Sequence, residues 1–212
     1  MAFISTTRPN DASGEVLEMY ERQQAHWGYI PDYAKVFSHR PEAMARWGRL
    51  LAELRRPVDD YRFELVTLTA ALELRHSACS LAHGKKLADM IGDDAVIAIA
   101  EGRESEVLSE EDTAIVGYAR GIIRNARKIN SGQVEALRSK HGLSDEEIFD
   151  IAAIVSARSF FSKVLDAVGS EPDVSFMTMN EALRQTLTVG RPISHRRLER
   201  LEREDKAPSR AA

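Results

Sequence analysis

Cysteine is nearly absent from this chain, because Cys79 is the only one in 212 residues. A single thiol excludes an internal disulfide framework and favours a reducing compartment. Long apolar runs are absent too, and none approaches the roughly 20 residues that a membrane-spanning helix needs. Residues 1–9 contain no basic segment followed by an apolar stretch, so the sequence predicts no signal peptide. We therefore expect a cytoplasmic protein that does not associate with membranes.

An excess of positive charge is also missing. The chain has 29 Lys and Arg against 33 Asp and Glu, which gives a net charge of −4. This composition offers no electrostatic basis for binding nucleic acid or an anionic membrane. Glycine and proline are few, at 12 and 7 residues, and they cluster at breaks between segments.

Helical periodicity is the dominant pattern that remains. Apolar residues recur three and four positions apart along most of the chain, whereas alternating strand patterns are nearly absent. With 43% hydrophobic residues, a chain of this length can bury a substantial core. We predict an all-α protein with one domain at residues 1–190, followed by a polar, charged tail at residues 191–212.

Several helix boundaries follow from capping residues. Asp59 precedes a helical pattern and suits an N-cap, and Ser144 with Glu147 forms a capping box that opens a long helix. Gly142 suits the C′ position of the helix before it. A last helix is predicted over residues 176–189.

Reactive side chains converge around the single cysteine. A helix through this segment would place His76, Cys79 and His83 on one stripe, because residues three and four apart share a face. A thiol reacts as the thiolate, and a neighbouring imidazole can take its proton. Gly84 follows directly and indicates close helix packing. Glu64 lies on the preceding predicted helix, so only tertiary packing can bring it to the thiol. We predict that Glu64, His76, Cys79 and His83 share one partly buried site.

Structural interpretations of these residues are open as well. A free cysteine usually behaves as a small buried hydrophobe. Glu64 and His76 could satisfy one another in a polar pocket without taking part in chemistry. Trp27 and Trp47 are interpreted as packing residues rather than cofactor platforms. Tyr29, Tyr33 and Phe37 are candidates for the pocket wall.

The order of Glu64, Cys79 fifteen residues later and His83 four residues after that resembles a known motif. It is similar to the core of the alkylhydroperoxidase D-like (AhpD-like) branch of the carboxymuconolactone decarboxylase superfamily. Flanking segments also match that family, at residues 29–41, 157–161 and 166–169. The resemblance covers roughly residues 15–190. It implies an all-α fold with the site on a helical hairpin, and assembly into a homo-oligomer such as a dimer, trimer or hexamer.

The same resemblance implies roles for the motif residues. Cys79 matches the cysteine that attacks peroxide, His83 the histidine and Glu64 the glutamate of a proton relay. Two positions depart from the pattern: His76 stands where the resolving cysteine is found, and Ala78 where an additional relay histidine can occur. Without a second thiol no internal disulfide can close the cycle, so an oxidised Cys79 would need an external thiol reductant.

Three functional hypotheses follow. The leading one is a one-cysteine peroxidase without a cofactor, in which His83 takes the Cys79 proton, Glu64 orients His83 and His76 holds peroxide or stabilises the thiolate.

The second hypothesis is a decarboxylase-like lyase or isomerase that moves protons on a small organic acid through His76, His83 and Glu64. In that case Arg75 or Arg158 would hold the substrate carboxylate. The third is a metal-binding or non-catalytic assembly protein, because two histidines, one cysteine and one glutamate could form a four-ligand zinc set.

Overall fold

The computed structural model describes residues 2–193, and this part of the chain is all helical, as predicted. It contains no strand among the described residues. The α-helices are α1 (Gly14–Trp27), α2 (Asp32–Val36), α3 (Pro41–Arg55), α4 (Asp60–Glu73), α5 (Ser77–Ile91), α6 (Asp93–Ala100), α7 (Glu110–Asn125), α8 (Ser131–His141), α9 (Asp145–Ala167) and α10 (Glu181–Leu187).

Helices α4 and α5 form a hairpin at the centre of the fold. Helix α4 packs against α5, α7 and α9, and residues 63–71 of α4 are all buried. The two helices are joined by only three residues, of which Arg75 has a positive φ of 54°. A short connection makes the two helices antiparallel neighbours, so the end of α4 and the start of α5 lie together.

The predicted caps are present. The Asp59 side chain accepts the Arg62 N–H at the start of α4, and Gly142 adopts the left-handed conformation after α8. Ser144 and Glu147 form the full capping box at the start of α9, with both reciprocal hydrogen bonds. These local interactions lie within a few residues of each other along the chain, which is why the sequence predicts them.

The predicted last helix at 176–189 is wrong in its extent. A 3-10 turn over Val174–Thr178 comes first, Met179 is extended, and α10 then begins after Asn180. The Asn180 side chain accepts the N–H groups of Ala182 and Leu183, so a local N-cap restarts the helix. The periodic apolar pattern continues through this break, which is why the pattern alone predicts one longer helix.

The end of α10 and the residues that follow it pack against α5. Leu187 packs so closely on Gly84 that a Cβ there would lie 2.4 Å from Leu187 Cδ1, which confirms the predicted close packing. Ser80 Oγ donates to the Leu187 carbonyl at 2.5 Å, and Gly190 N–H donates to Ser77 Oγ at 2.8 Å. These two hydrogen bonds fix the start of α5 to residues 187–190.

The predicted charged tail at 191–212 lies largely outside the described residues, since the structure describes only residues 191–193 of it. Within this short stretch Ile193 is buried in the core with Leu187. No helix among residues 2–193 is both long enough and apolar enough to cross a membrane.

Candidate functional site

Cys79 is the third residue of α5, and His76 is the N-cap of that helix. The Cys79 N–H donates to His76 Nδ1 at 3.2 Å, so the imidazole caps the helix from outside it. The predicted stripe of His76, Cys79 and His83 on one helix is therefore wrong for His76, which precedes the helix. Only Cys79 and His83 share a helical face. Because Cys79 lies in the first turn, the positive end of the helix dipole favours its thiolate.

The Cys79 thiol is buried, at 4% exposure, and two groups on α9 reach its sulfur. Arg158 Nη1 and Ser162 Oγ each lie 3.6 Å from Sγ as hydrogen-bond donors. Burial raises the pKa of Cys79, but the charges of Arg158 and His76 and the Ser162 hydroxyl outweigh it and lower the pKa to about 7. About half of the thiol is ionised at neutral pH as a result.

Arg158 and Ser162 are the residues that sequence reasoning missed as partners of the thiol. Arg158 appears in the sequence hypotheses only as a possible carboxylate binder, and Ser162 not at all. They stand four residues apart on α9 and so share a face. The sequence contained one indication of this role. Helical periodicity assigns the position of Arg158 to the core, and a buried arginine needs a specific partner. Cys79 lies 79 residues away along the chain, and only packing identifies it as that partner.

Glu64 and His83 form the second pair of the site. His83 Nδ1 lies 2.5 Å from Glu64 Oε2, and the Glu64 side chain is only 1% exposed. Lys86 Nζ lies 3.7 Å from the other carboxylate oxygen, Oε1. The alternative that Glu64 and His76 satisfy one another is wrong, because Glu64 is bonded to His83 from the facing helix.

The charge state of this pair follows from its surroundings. Burial, followed by the charge of Arg158, lowers the pKa of His83 to about 4, although Glu64 opposes this. Burial raises the pKa of Glu64, but the hydrogen bond from His83, together with the charge of Lys86, brings it below the ordinary value. At neutral pH a neutral imidazole therefore donates Nδ1–H to an ionised carboxylate. This tautomer leaves Nε2 as a hydrogen-bond acceptor.

The neutral, buried His83 should make the protein sensitive to mild acid. The pKa of His83 falls from 6.5 in the unfolded chain to about 4 in the fold. Its contribution to the unfolding free energy is therefore complete above pH 6.5 and is lost as the pH falls towards 4. The contribution amounts to about 3 kcal/mol of unfolding free energy. We expect His83→Gln to show a pH dependence that is smaller by about this amount, measured by urea unfolding between pH 4 and 7. Equal slopes for both proteins in this range would contradict the assignment of a neutral His83.

His76 has a separate set of partners. Its Nε2 lies 4.0 Å from Asp166 Oδ1 on α9, while Nδ1 is occupied by the Cys79 N–H. Burial lowers the pKa of His76, but the Cys79 thiolate and Asp166 raise it more. The pKa of His76 therefore lies above its ordinary value. The His76 side chain is 2% exposed. Because it accepts the Cys79 N–H as the N-cap, it fixes the start of α5.

A cavity of about 710 Å³ leads to the thiol. Cys79, His83 and Arg158 line its buried part, and its walls are largely aromatic and apolar: His26, Trp27, Tyr29, Pro31, Tyr33, Met44, Trp47, Leu51, Phe63, Phe161, Leu165 and Phe176. Both tryptophans of the chain line these walls. Trp47 also packs against a buried cluster of the core, as predicted. Tyr29 and Tyr33 line the cavity as predicted. The prediction is wrong for Phe37, which is buried in the core instead.

The aromatic wall also supports Arg158. Trp47 stacks on Phe161 with ring centroids 4.4 Å apart, and the Arg158 guanidinium lies 5.4 Å from the Trp47 ring and 5.5 Å from the Phe161 ring. Trp47 Nε1–H donates to the Ala157 carbonyl, which fixes α3 on α9. These rings hold the cation beside Sγ.

The geometry does not favour the zinc hypothesis. Within residues 2–193 no group of three or more His, Cys, Asp and Glu side chains is arranged to hold a metal ion.

Comparison with known proteins places the fold. No family model matches the sequence, and no curated protein matches it. The chain is similar in structure to the alkylhydroperoxidase AhpD core of a peroxidase-related protein from Ralstonia eutropha JMP134, with a TM-score of 0.74 and 19% identity over 84% of this chain and 95% of that one. A peroxidase-related protein from Silicibacter sp. TM1040 gives a TM-score of 0.71 and 17% identity, with the same coverage of both chains.

The debrominase Bmp8 has a similar structure as well. A cysteine-to-alanine variant in complex with 2,3,4-tribromopyrrole gives a TM-score of 0.67 and 15% identity, over 87% of this chain and 95% of that one. These likenesses confirm the predicted AhpD-like fold.

Proposed function

We propose that this protein reduces organic hydroperoxides through Cys79, with an external thiol as the reductant. The observation that carries the proposal is a thiol with a pKa of about 7 at the buried end of an apolar cavity, with Arg158 at 3.6 Å from its sulfur. A thiol of this pKa is substantially ionised at neutral pH and remains a good nucleophile.

The proposed oxidation consumes one hydroperoxide. The Cys79 thiolate attacks the distal oxygen, so that an S–O bond forms while the O–O bond breaks. Sulfur is oxidised to the sulfenic acid and the hydroperoxide is reduced to an alkoxide, which takes up a proton and leaves as the alcohol. The proton is the one that the thiol released, returned through His83 Nε2 or water.

Charge and position assign the supporting roles. Arg158 stabilises the thiolate before attack and the alkoxide that develops afterwards, in a site with few competing water molecules. Glu64 holds His83 in the tautomer whose Nε2 can accept the hydroperoxide O–H. The neutral state of His83 fits this acceptor role.

The reductive half needs two external thiols, because the chain has a single cysteine. The first condenses with the sulfenic acid, forming a mixed disulfide and releasing water. The second attacks that disulfide, frees Cys79 and leaves as a low-molecular-weight disulfide.

Debromination of an aromatic ring is a second candidate, and the aromatic walls of the cavity favour it together with the structural likeness to Bmp8. The thiolate would take bromine from carbon as a sulfenyl bromide while the ring carbon gains a proton. One external thiol would displace bromide and form a mixed disulfide with Cys79, and a second would attack that disulfide and free Cys79. The Cys79–Arg158 pair would serve this chemistry equally well.

Hydroperoxide turnover by the purified protein tests the proposal. With cumene hydroperoxide and glutathione we expect catalytic consumption, and with the hydroperoxide alone a single turnover that adds one oxygen atom to Cys79 by mass spectrometry. A brominated pyrrole in place of the hydroperoxide tests the second candidate through bromide release. A Cys79 that neither gains oxygen nor supports consumption would contradict the peroxidase proposal.

A further inference from the structure

The cavity carries a local excess of positive charge in a chain whose net charge is −4. Its charged lining residues are the basic Arg55, Lys85, Lys86 and Arg158 and the acidic Asp89 and Asp173. Burial raises the pKa of Asp173 to about 7, with Lys35 opposing, so this carboxyl is only partly ionised at neutral pH. Basic side chains therefore outnumber carboxylates in the lining, four to two.

The positive groups are not evenly distributed with depth. Arg158 lies at the bottom beside the thiol, and both residues are 4% exposed. The side chains of Lys86 and Arg55 are each 40% exposed and so mark the mouth of the cavity. Aromatic and aliphatic side chains make up most of the remaining lining. The site thus combines a buried reactive end, apolar walls and partly exposed cations.

Lys86 is the entrance cation least committed to a partner. Lys85 Nζ is bonded to Asp89 at 2.9 Å, and Arg55 to Asp60 at 2.6 Å. Lys86 Nζ forms an ion pair with Glu64 Oε1 at 3.7 Å, which is longer than a hydrogen bond, and lies 5.6 Å from the centroid of the Trp27 ring. Its ammonium protons therefore remain able to bond a ligand at the edge of the aromatic wall.

The volume of the cavity also indicates the size of its substrate. A cavity of about 710 Å³ is of the size that holds drug-like organic molecules, for which about 300–1,000 Å³ is usual. Hydrogen peroxide would fill only a small part of it and could make no use of the apolar walls. The site is therefore built for a substrate with a substantial apolar body.

We propose that the preferred substrates are organic hydroperoxides with one carboxylate on an apolar body, which bind with the carboxylate at Lys86 and the hydroperoxide at Cys79. This inference rests on the proposed function and names its substrate class. The apolar body is either a fatty acyl chain or an aryl group. The bond changes are those given above, and the carboxylate takes no part in them.

Matched acid and ester substrates test the inference. One pair is cumene hydroperoxide with a para carboxylate and its methyl ester, and the other is linoleic acid hydroperoxide and its methyl ester. We expect kcat/KM to favour the acid about fivefold in at least one pair, since a partly exposed ion pair is worth up to about 1 kcal/mol. The pair with the larger preference identifies the apolar body.

Variants at the entrance locate the carboxylate. Lys86→Met should bring the ratio of kcat/KM for the acid to kcat/KM for the ester to about one, even if the rate with the ester also changes. Lys86→Arg should retain the preference for the acid. Lys85→Met removes an equal charge from the neighbouring position and should keep the wild-type ratio. Equal rates for acid and ester in the wild type, or a preference that survives Lys86→Met, would overturn the inference.

A binding measurement separates this inference from the proposed function. Both tryptophans line the cavity, so their fluorescence reports ligands there without chemistry. The unreactive cumyl alcohol with a para carboxylate should bind more tightly than its methyl ester, and Lys86→Met should remove the difference. If hydroperoxides are not reduced but this difference is present, only the peroxidase proposal fails. If they are reduced and the difference is absent, only the substrate class fails.

Discussion

Cys79→Ser should reduce hydroperoxide turnover to the background rate, a loss of about a thousandfold or more. The serine hydroxyl keeps nearly the size of the thiol but is hardly ionised at neutral pH, so the nucleophile is lost while the cavity is retained. The measurement is hydroperoxide consumption with glutathione in excess.

The same variant distinguishes the peroxidase from the lyase or isomerase hypothesis. Proton transfer by His83 and Glu64 does not require the thiol, so a lyase would keep its activity on an organic acid in Cys79→Ser. Circular dichroism and the Kd of the para-carboxylate cumyl alcohol serve as controls for fold and cavity. Turnover of hydroperoxides that persists in a folded Cys79→Ser protein would reject the proposed function.

Arg158→Met should raise the pKa of Cys79 from about 7 to above the ordinary thiol value of about 8.5, because burial then acts with less opposition. The ionised fraction at pH 7 would fall roughly fifteenfold. Higher basicity makes the remaining thiolate more nucleophilic, by about fivefold, so alkylation at pH 7 should slow only about threefold. The midpoint of the pH profile for iodoacetamide alkylation is therefore the decisive measurement, and it should move up.

Hydroperoxide reduction should suffer more than alkylation in Arg158→Met. The guanidinium also stabilises the leaving alkoxide, and removal of one such donor typically costs about a hundredfold in rate. Arg158→Lys keeps the charge and should keep the alkylation midpoint below the ordinary thiol value. The exposed Arg75, one residue before His76, provides a matched control, and Arg75→Met should leave the midpoint unchanged. An unchanged midpoint in Arg158→Met would show that Arg158 does not stabilise the thiolate.

Arg158→Met also has an expected structural consequence. Among residues 2–193 no carboxylate pairs with Arg158, and its Nε has no hydrogen-bond partner. The thiolate of Cys79 is thus the anion that compensates a buried cation. Without the cation the thiolate takes up a proton and becomes a neutral thiol, so the unfolding free energy should fall less than when the loss of a partner leaves a buried charge behind.

The sequence by itself determined the local features of this protein. Caps such as Asp59 and Ser144 act within one helical turn, and the helical period of apolar residues does not depend on distant contacts. The order of Glu64, Cys79 and His83, together with the flanking segments at 29–41, 157–161 and 166–169, carried the resemblance that predicted the AhpD-like fold. It also predicted that Cys79 and His83 share a face, because both lie on one helix.

Only the tertiary structure decided how these residues are paired. The backbone turns at Arg75 between α4 and α5, which removes His76 from the helical stripe and makes it the N-cap. Glu64 therefore meets His83 across the hairpin, while α9 brings Arg158 and Ser162 to the sulfur. The pKa of Cys79 depends on burial and on charges that lie far away in sequence, and Coulomb interactions follow distance in space. For this reason the sequence identified Cys79 as the candidate nucleophile, and the packing of α9 against the hairpin determined the pKa of its thiol.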